Sequence, residues 1–366
     1  VQFRIDQFYR INRRALIWAA ILWLLYILRD FFALVFVTFL IVSFTLPVIS
    51  YFQRTTRFPR TAIIVTLYVA ILVGLVSWVY YATPRIIGEA TGVANELGAI
   101  QNNLLGIKGD IRMKFPAIGP ILDKYDQQDM VKGLEELTRQ IRPILEKSAK
   151  IALATISTTL LSLLFSFLIV LDLSRLTQEI RRFEKSRLHD FYKESAEPVV
   201  RFASVVARSF RAQAMIAVVN TLLTLIGFLI LGLPKVLLLS TIVFFFSFIP
   251  VLGVFISTTP AVLVALNAAG LDKGGAVIVM VVVIHLIEAY VLNPLIYGHH
   301  LKLNPVIVLI ILFVGHHFFG LWGMLLGVPV SYYFIHYVFA VPMGDPLAEA
   351  TPSQETETGT GPPAAA

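Results

Sequence analysis

His285 and Glu288 stand three residues apart in an otherwise apolar stretch, 275–297, so a helix there carries the imidazole and the carboxylate on one face. These two side-chain types can take up and release a proton near neutral pH where water is scarce. Ionisable residues at such depth are costly and mark functional positions by default, although the same pair also suits a hydrogen bond between helices. Asn293-Pro294 and Tyr297-Gly298 follow at once. Gln213, Asn220 and Thr224 form a polar stripe along 212–233, able to face a pathway or to bond a neighbouring helix. Two more groups sit where apolar segments are interrupted: Pro250 with Gly253, and Gly315, His316, His317 and Gly320. Adjacent histidines diverge by about 100° on a helix, so His316 and His317 do not converge on a metal. His299-His300 reads as an interfacial helix end. No metal site and no cofactor are expected.

The elements that position these residues follow from composition. Hydrophobic residues make up 57% of the 366 and charged residues 14%; the mean hydropathy is +0.78. The apolar residues are clustered in runs such as 151–171, long enough for the roughly 20 residues that a bilayer core requires. These runs lack the alternation of a barrel strand, and in hydrocarbon the remaining solution is the helix. The expected fold is therefore an all-α polytopic membrane protein. It has about eight membrane segments, some of them broken or re-entrant, and a small helical insert outside the bilayer. The absence of cysteine removes disulfides and thiolate chemistry.

Along the chain, 1–14 is basic and 15–83 holds three spans, the first two reversing in a tight hairpin at Arg29-Asp30. The second run follows the first so closely, with no cleavage site between them, that the N-terminus reads as a span and not as a signal peptide. Residues 84–148 are polar with apolar positions at steps of three and four, the pattern of amphipathic helices. A fourth span covers 149–172. A basic helical linker, 173–211, reads mainly as a topological anchor, and otherwise as a surface for anionic lipid or a partner. The core 212–340 follows, and 341–366 has the composition of a disordered tail. Basic loops stay in the cytoplasm, which puts the N-terminus, 54–60 and 173–211 inside and 84–148 outside.

Two segments in the core are interrupted. As one helix, 235–266 would be about 48 Å long, yet Pro250 and Gly253 break it into halves of about 20 Å, each too short to cross. Residues 303–340 are broken between Gly315 and Gly320, and there too the first half is too short. Proline and glycine also merely kink membrane helices; as a re-entrant pair, however, these segments form two inversely oriented units of the kind that marks a carrier's binding site. Gly323 and Gly327 suit close helix packing. No phosphate-binding loop, HExxH or GxSxG occurs, so an enzyme is not expected.

Several motifs carry a family resemblance. Ile249-Pro250-Val251-Leu252-Gly253 is similar to the IPxxG break of the autoinducer-2 exporter (PerM-type permease) family of bacterial membrane transporters. The stretch 288–305 resembles that family's acid, proline, glycine and Leu-x-Pro series, and 319–329 resembles its FGxxGxLLAxP segment. The resemblance implies about eight membrane segments and a solute carrier, so the expected protein is a multi-pass one of the bacterial inner membrane that exports a small polar solute such as an autoinducer-2-like signal, with proton coupling through His285 and Glu288 as an option and, from the basic loops, the N-terminus inside. The alternatives are a sodium/proton antiporter and a non-transporting membrane scaffold. The expected pathway residues are Gln213, Asn220, Pro250, Gly253, His285, Glu288, Asn293, Pro294, Gly315, His316 and Gly320. The expected partners are the bilayer and a small-molecule or ion substrate, with a homo-oligomer as an option and no nucleic acid.

Overall fold

Main chain surrounded by hydrocarbon must satisfy its own hydrogen bonds, and the apolar segments accordingly fold as helices. The structure, a computed structural model, describes residues 5–102, 155–186, 189–297 and 304–339, and residues 109, 112, 113 and 136 singly; no strand occurs among them. Most of the expected polar insert, Gly298 to His300 and the tail 341–366 lie outside the described residues.

Helix α1 (Ile5–Ile27) passes through a 3-10 turn, Leu28–Phe31, into α2 (Phe32–Thr55). The expected reversal at Arg29-Asp30 does not occur. Ile27 and Phe32 keep right-handed helical angles on either side of the turn, and no glycine or proline lies there to turn the chain. The argument that put the N-terminus and 54–60 on one side of the bilayer rested on that reversal. Helix α3 (Arg60–Asn102) has 43 residues and is about 65 Å long, so it extends well beyond a hydrocarbon layer of about 30 Å. It runs unbroken through Pro84, where the third span was expected to end. Helix α4 (Thr155–Leu171) meets α5 (Leu173–Arg182) at an angle of 75°. Helix α6 (His189–Ile230) joins the expected linker and the next span into one helix of 42 residues. Helices α2, α3 and α4 share a core of Ile49, Ile64, Tyr68, Leu163 and Val170. Thr45 Oγ1 and Tyr68 Oη meet at 3.3 Å, and the Ser162 hydroxyl donates to the Leu34 carbonyl at 3.2 Å.

The core segments fold back on themselves. Helix α7 (Val236–Phe246) has 11 residues, about 16 Å, and ends at a turn before α8 (Leu252–Ile287). Leu238 and Leu239 near the start of α7 share a buried cluster with Ala261, Val264 and Ala265 of α8, so the two arms lie antiparallel. Helix α8 itself reverses at Ala269 and Gly270, where Gly270 has φ 69° and ψ −157°, a region open essentially to glycine alone. A Cβ on Gly274 would touch the Leu266 side chain, eight residues back, and Val277 joins Val264 in the same cluster.

Helix α10 (Pro305–Tyr333) is a second hairpin. It breaks at Gly320, with φ 58° and ψ −139°. A Cβ on Gly315 would collide with the Gly323 carbonyl, and one on Gly323 with that of Gly315. In a straight helix those residues would be about 12 Å apart. Gly327 lies against Ile311 in the same register, so the expected small-residue contact is made between the two arms of one hairpin. The hairpins pack together through Ile249, Val308 and Leu312, flanked by Phe246, Leu252, Met324, Leu325 and Val328. Trp322 fixes the second hairpin edge-on against Phe32 and Phe36 of α2, at ring distances of 5.3 and 5.6 Å.

Among the described residues five helical stretches are long and apolar enough to cross a membrane, and a sixth if α4 is taken with α5. Two of the five contain the reversals at Gly270 and Gly320, so stretches and crossings are not the same count.

Candidate functional site

The turn between α7 and α8 sets the geometry of the site. Leu252 N–H donates to the Pro250 carbonyl at 2.7 Å, closing a γ-turn on Val251, which has φ 63° and ψ −58°. This positive-φ form is rare and strained, and more so for a β-branched residue. Gly253 follows because a Cβ there would run into the Phe246 carbonyl. The tip is held from α6, where the Gln213 amide donates to the Ser247 carbonyl at 2.5 Å.

Beside this tip lies a small cavity of about 30 Å³, lined by Asn220 and Thr224 of α6, by Ser247, Pro250 and Gly253 of the turn, by Ser257 and Thr258 of α8, and by His285 and Glu288. Such a volume holds about one water-sized body. Asn220 Nδ2 donates to Glu288 Oε2 at 3.0 Å and reaches Ser247 Oγ at 3.5 Å. With Glu288 ionised the amide presents its nitrogen, since the opposite orientation would set an oxygen against a carboxylate. His285 Nδ1 is 3.8 Å from the same carboxylate oxygen. The Glu288 side chain is 17% exposed and that of His285 46%, so the carboxylate is the more shielded of the two. The hydroxyls of Ser247, Ser257 and Thr258 donate to the carbonyls of Val243, Val254 and Val254, which leaves their lone pairs for the cavity.

Glu288 opens a π-helical turn, Glu288–Leu292, ahead of α9 (Asn293–Tyr297). Pro294 has no N–H for the carbonyl four residues before it, and widening the preceding turn relieves the clash; such bulges cluster at functional sites. The cavity is bordered by the C-terminal end of α7 and the N-terminal end of α8, helix poles of opposite sign. The two poles offset one another, and the Glu288 carboxylate is the one acidic side chain among the described lining residues.

Of the residues singled out in the sequence, Asn220, Pro250, Gly253, His285 and Glu288 line this cavity and Gln213 braces it. Asn293 and Pro294 shape the helix beyond Glu288 and are not in the lining. Gly315 and Gly320 form the second hairpin. His316 lines a separate, larger and almost wholly apolar cavity of about 480 Å³ between the two hairpins. Ser247, Ser257 and Thr258 went unmarked in the sequence, and Val251 figured there only as part of the break motif. The serine inside Phe244-Phe245-Phe246-Ser247-Phe248 was the one signal available, a lone hydroxyl in an aromatic run.

Broken helices folded back as hairpins, one of them bordering a polar cavity, are the architecture of multi-pass membrane transporters. The chain belongs to the AI-2E family of transporters, whose model, described as AI-2E family transporter, matches residues 16–341. It is 34% identical over 182 residues to the provisionally named transport protein YdbI of Bacillus subtilis, covering 49% of this chain and 52% of that one. It is 23% identical to a provisionally named transport protein of Alkalihalophilus pseudofirmus, over 86% of this chain and 84% of the relative. A protein of Halobacillus andaensis named sodium-lithium/proton antiporter is 24% identical, over 77% of this chain and 81% of its own length.

Proposed function

We propose that this protein is a secondary transporter that binds a monovalent cation at Glu288 and exchanges it against protons across a bacterial inner membrane. The carrying observation is the cavity: one shielded carboxylate and several inward oxygens around a space of about 30 Å³. That space suits a dehydrated ion or one water, whereas small-molecule sites run from about 300 Å³ upward. Unwound backbone and broken helix ends commonly coordinate such ions at mid-membrane. Glu288 binds either the cation or a proton, and His285, the more exposed of the two, passes the proton to water. In this reading α7 and 252–268, about 16 and 25 Å long, are the arms of a re-entrant hairpin whose tip closes over the site. Antiport is also the activity in the name of the Halobacillus relative.

Export of a small polar solute is the activity suggested by the family's motifs. Such a solute needs the tip around Val251 to withdraw before it can enter, since the larger cavities, beside His316 and beside Phe39 and Phe165, are apolar.

The deciding experiment uses the purified full chain in liposomes with a trapped pH dye. Addition of sodium or lithium should drive proton movement, and Glu288→Gln should abolish it. Wild-type liposomes that pass a neutral solute but show no cation-driven proton flux would overturn the antiport reading.

A further inference from the structure

Helix α5 begins one residue after α4 ends, and the 75° bend turns it across the axis of the membrane-spanning helix. At 100° per residue, Leu173, Leu176 and Ile180 fall within one narrow arc, and Phe183 extends it. Arg175, Arg181 and Arg182 each lie about 100° or more from the centre of that arc. None of the residues of α5 is buried, and Ile180 and Phe183 are 55% and 47% exposed. An amphipathic helix of ten residues gains nothing from an apolar arc left in water, so that arc calls for a cover.

The neighbouring surface indicates what the cover is. The Arg60 guanidinium, at the first residue of α3, donates to Ser174 Oγ at 3.4 Å, which ties α5 to the junction of α2 and α3. That junction adds exposed Arg54 from the last turn of α2 and exposed Arg57, with Phe58 exposed to 69%. One end of the molecule thus carries a basic rim interleaved with outward apolar side chains, at the level where α4 leaves the bilayer. This is the chemistry of an interfacial helix, apolar side in the acyl boundary and cations among phosphates.

We propose that α5, with Arg54 and Arg57 beside it, is an in-plane docking face for the anionic headgroup layer of the membrane that the protein spans. The face holds the α4–α6 connection flat on the bilayer, at the entrance to the helix that carries Asn220. It is independent of the cation reading, because it uses none of the cavity residues.

The chain has no cysteine, so a single label can be placed at will. Ile180→Cys and, on the opposite side, Gln178→Cys are labelled with an environment-sensitive fluorophore in the full chain. Each is reconstituted into vesicles of phosphatidylcholine alone or with about one third phosphatidylglycerol, where a basic side chain at the surface gains roughly fivefold in binding. With phosphatidylglycerol the label at 180 should shift to the blue and be quenched by headgroup-depth spin-labelled lipid about twofold more than in phosphatidylcholine alone. The label at 178 should remain open to aqueous iodide. Arg175→Gln/Arg181→Gln/Arg182→Gln should return the 180 signal to its value in neutral lipid. Iodide quenching at 180 in both vesicles would overturn the proposal, as would equal lipid quenching in both. Protection at 180 from lipid and iodide alike would assign the face to a second copy or another part of the chain, and would also overturn it.

Discussion

The contact between Asn220 and Glu288 is the most direct test of the site. The Asn220 amide donates at 3.0 Å to a carboxylate that is 17% exposed, while His285 stands 3.8 Å away and is itself 46% exposed. A hydrogen bond to a shielded charge contributes about 1.5–3 kcal/mol, and one flank open to water contributes about 1 kcal/mol or less. Asn220→Ala, Glu288→Ala and the double variant therefore form a cycle with an expected coupling of about 1.5–3 kcal/mol. In cation affinity, Asn220→Ala should cost about ten- to a hundredfold, since 1.4 kcal/mol is a factor of ten. His285→Ala should cost about fivefold or less on the same scale. The stabilities come from reversible unfolding in mixed micelles, followed by tryptophan fluorescence. The affinities come from the rise of the melting temperature with sodium, which tracks ligand binding to the folded state. If the double variant loses only the sum of the two single losses, within about 0.5 kcal/mol, the two side chains do not act on one another and the site as described is wrong.

Three other outcomes follow from the hairpins. Gly253→Ala pushes a methyl group into the Phe246 carbonyl and should lower unfolding stability by about 1–3 kcal/mol, whereas Gly74→Ala, with open space around it, should be neutral or stabilising. Gly320→Ala has room for its methyl group but forces a glycine-only backbone region, so it should cost about 1–3 kcal/mol by strain, while Gly315→Ala should cost a similar amount by collision with Gly323; thermal melts of both, and of the pair with Gly323, separate the causes. Gln213→Leu removes the brace on the Ser247 carbonyl, worth about 1 kcal/mol, and should raise uncoupled proton leak in liposomes about fivefold while leaving the fold intact by circular dichroism.

The breaks were legible in the sequence because they depend on residue types with sharp backbone consequences. Pro250, Gly253 and Gly320 each remove either a donor or a Cβ, and an apolar run that contains them cannot form one upright span. Glu288 stood out for a similar reason, since a carboxylate in hydrocarbon is costly, and the hydrogen bond between helices that the sequence also allowed is made by Asn220. The reversal at Arg29-Asp30 was misread because charge was taken as a turn signal. Arginine and aspartate are compatible with helix, and Leu28-Arg29-Asp30-Phe31 contains nothing that excludes it. The limits of α3 and α6 were misread for the converse reason. A loss of hydrophobicity marks where a helix leaves the bilayer, not where it ends, and α3 continues through Pro84 to Asn102.

What the sequence did not disclose was that the two breaks are unlike. In the first hairpin the tip carries hydroxyls and a strained Val251, and two other elements bring an amide and a carboxylate to it. In the second the arms are locked by backbone contact at Gly315 and Gly323, and the face that meets the first hairpin is apolar. A locked hairpin makes a rigid wall. A strained tip braced by the amides of Gln213 and Asn220 on Ser247 is the less rigidly locked of the two. The interface at Ile249, Val308 and Leu312 is apolar and non-directional, so it lets the first tip slide with little loss of contact. If the first hairpin moving against the second governs access to Glu288, transport in liposomes should tolerate substitutions that stiffen the second hairpin far better than those that stiffen the first.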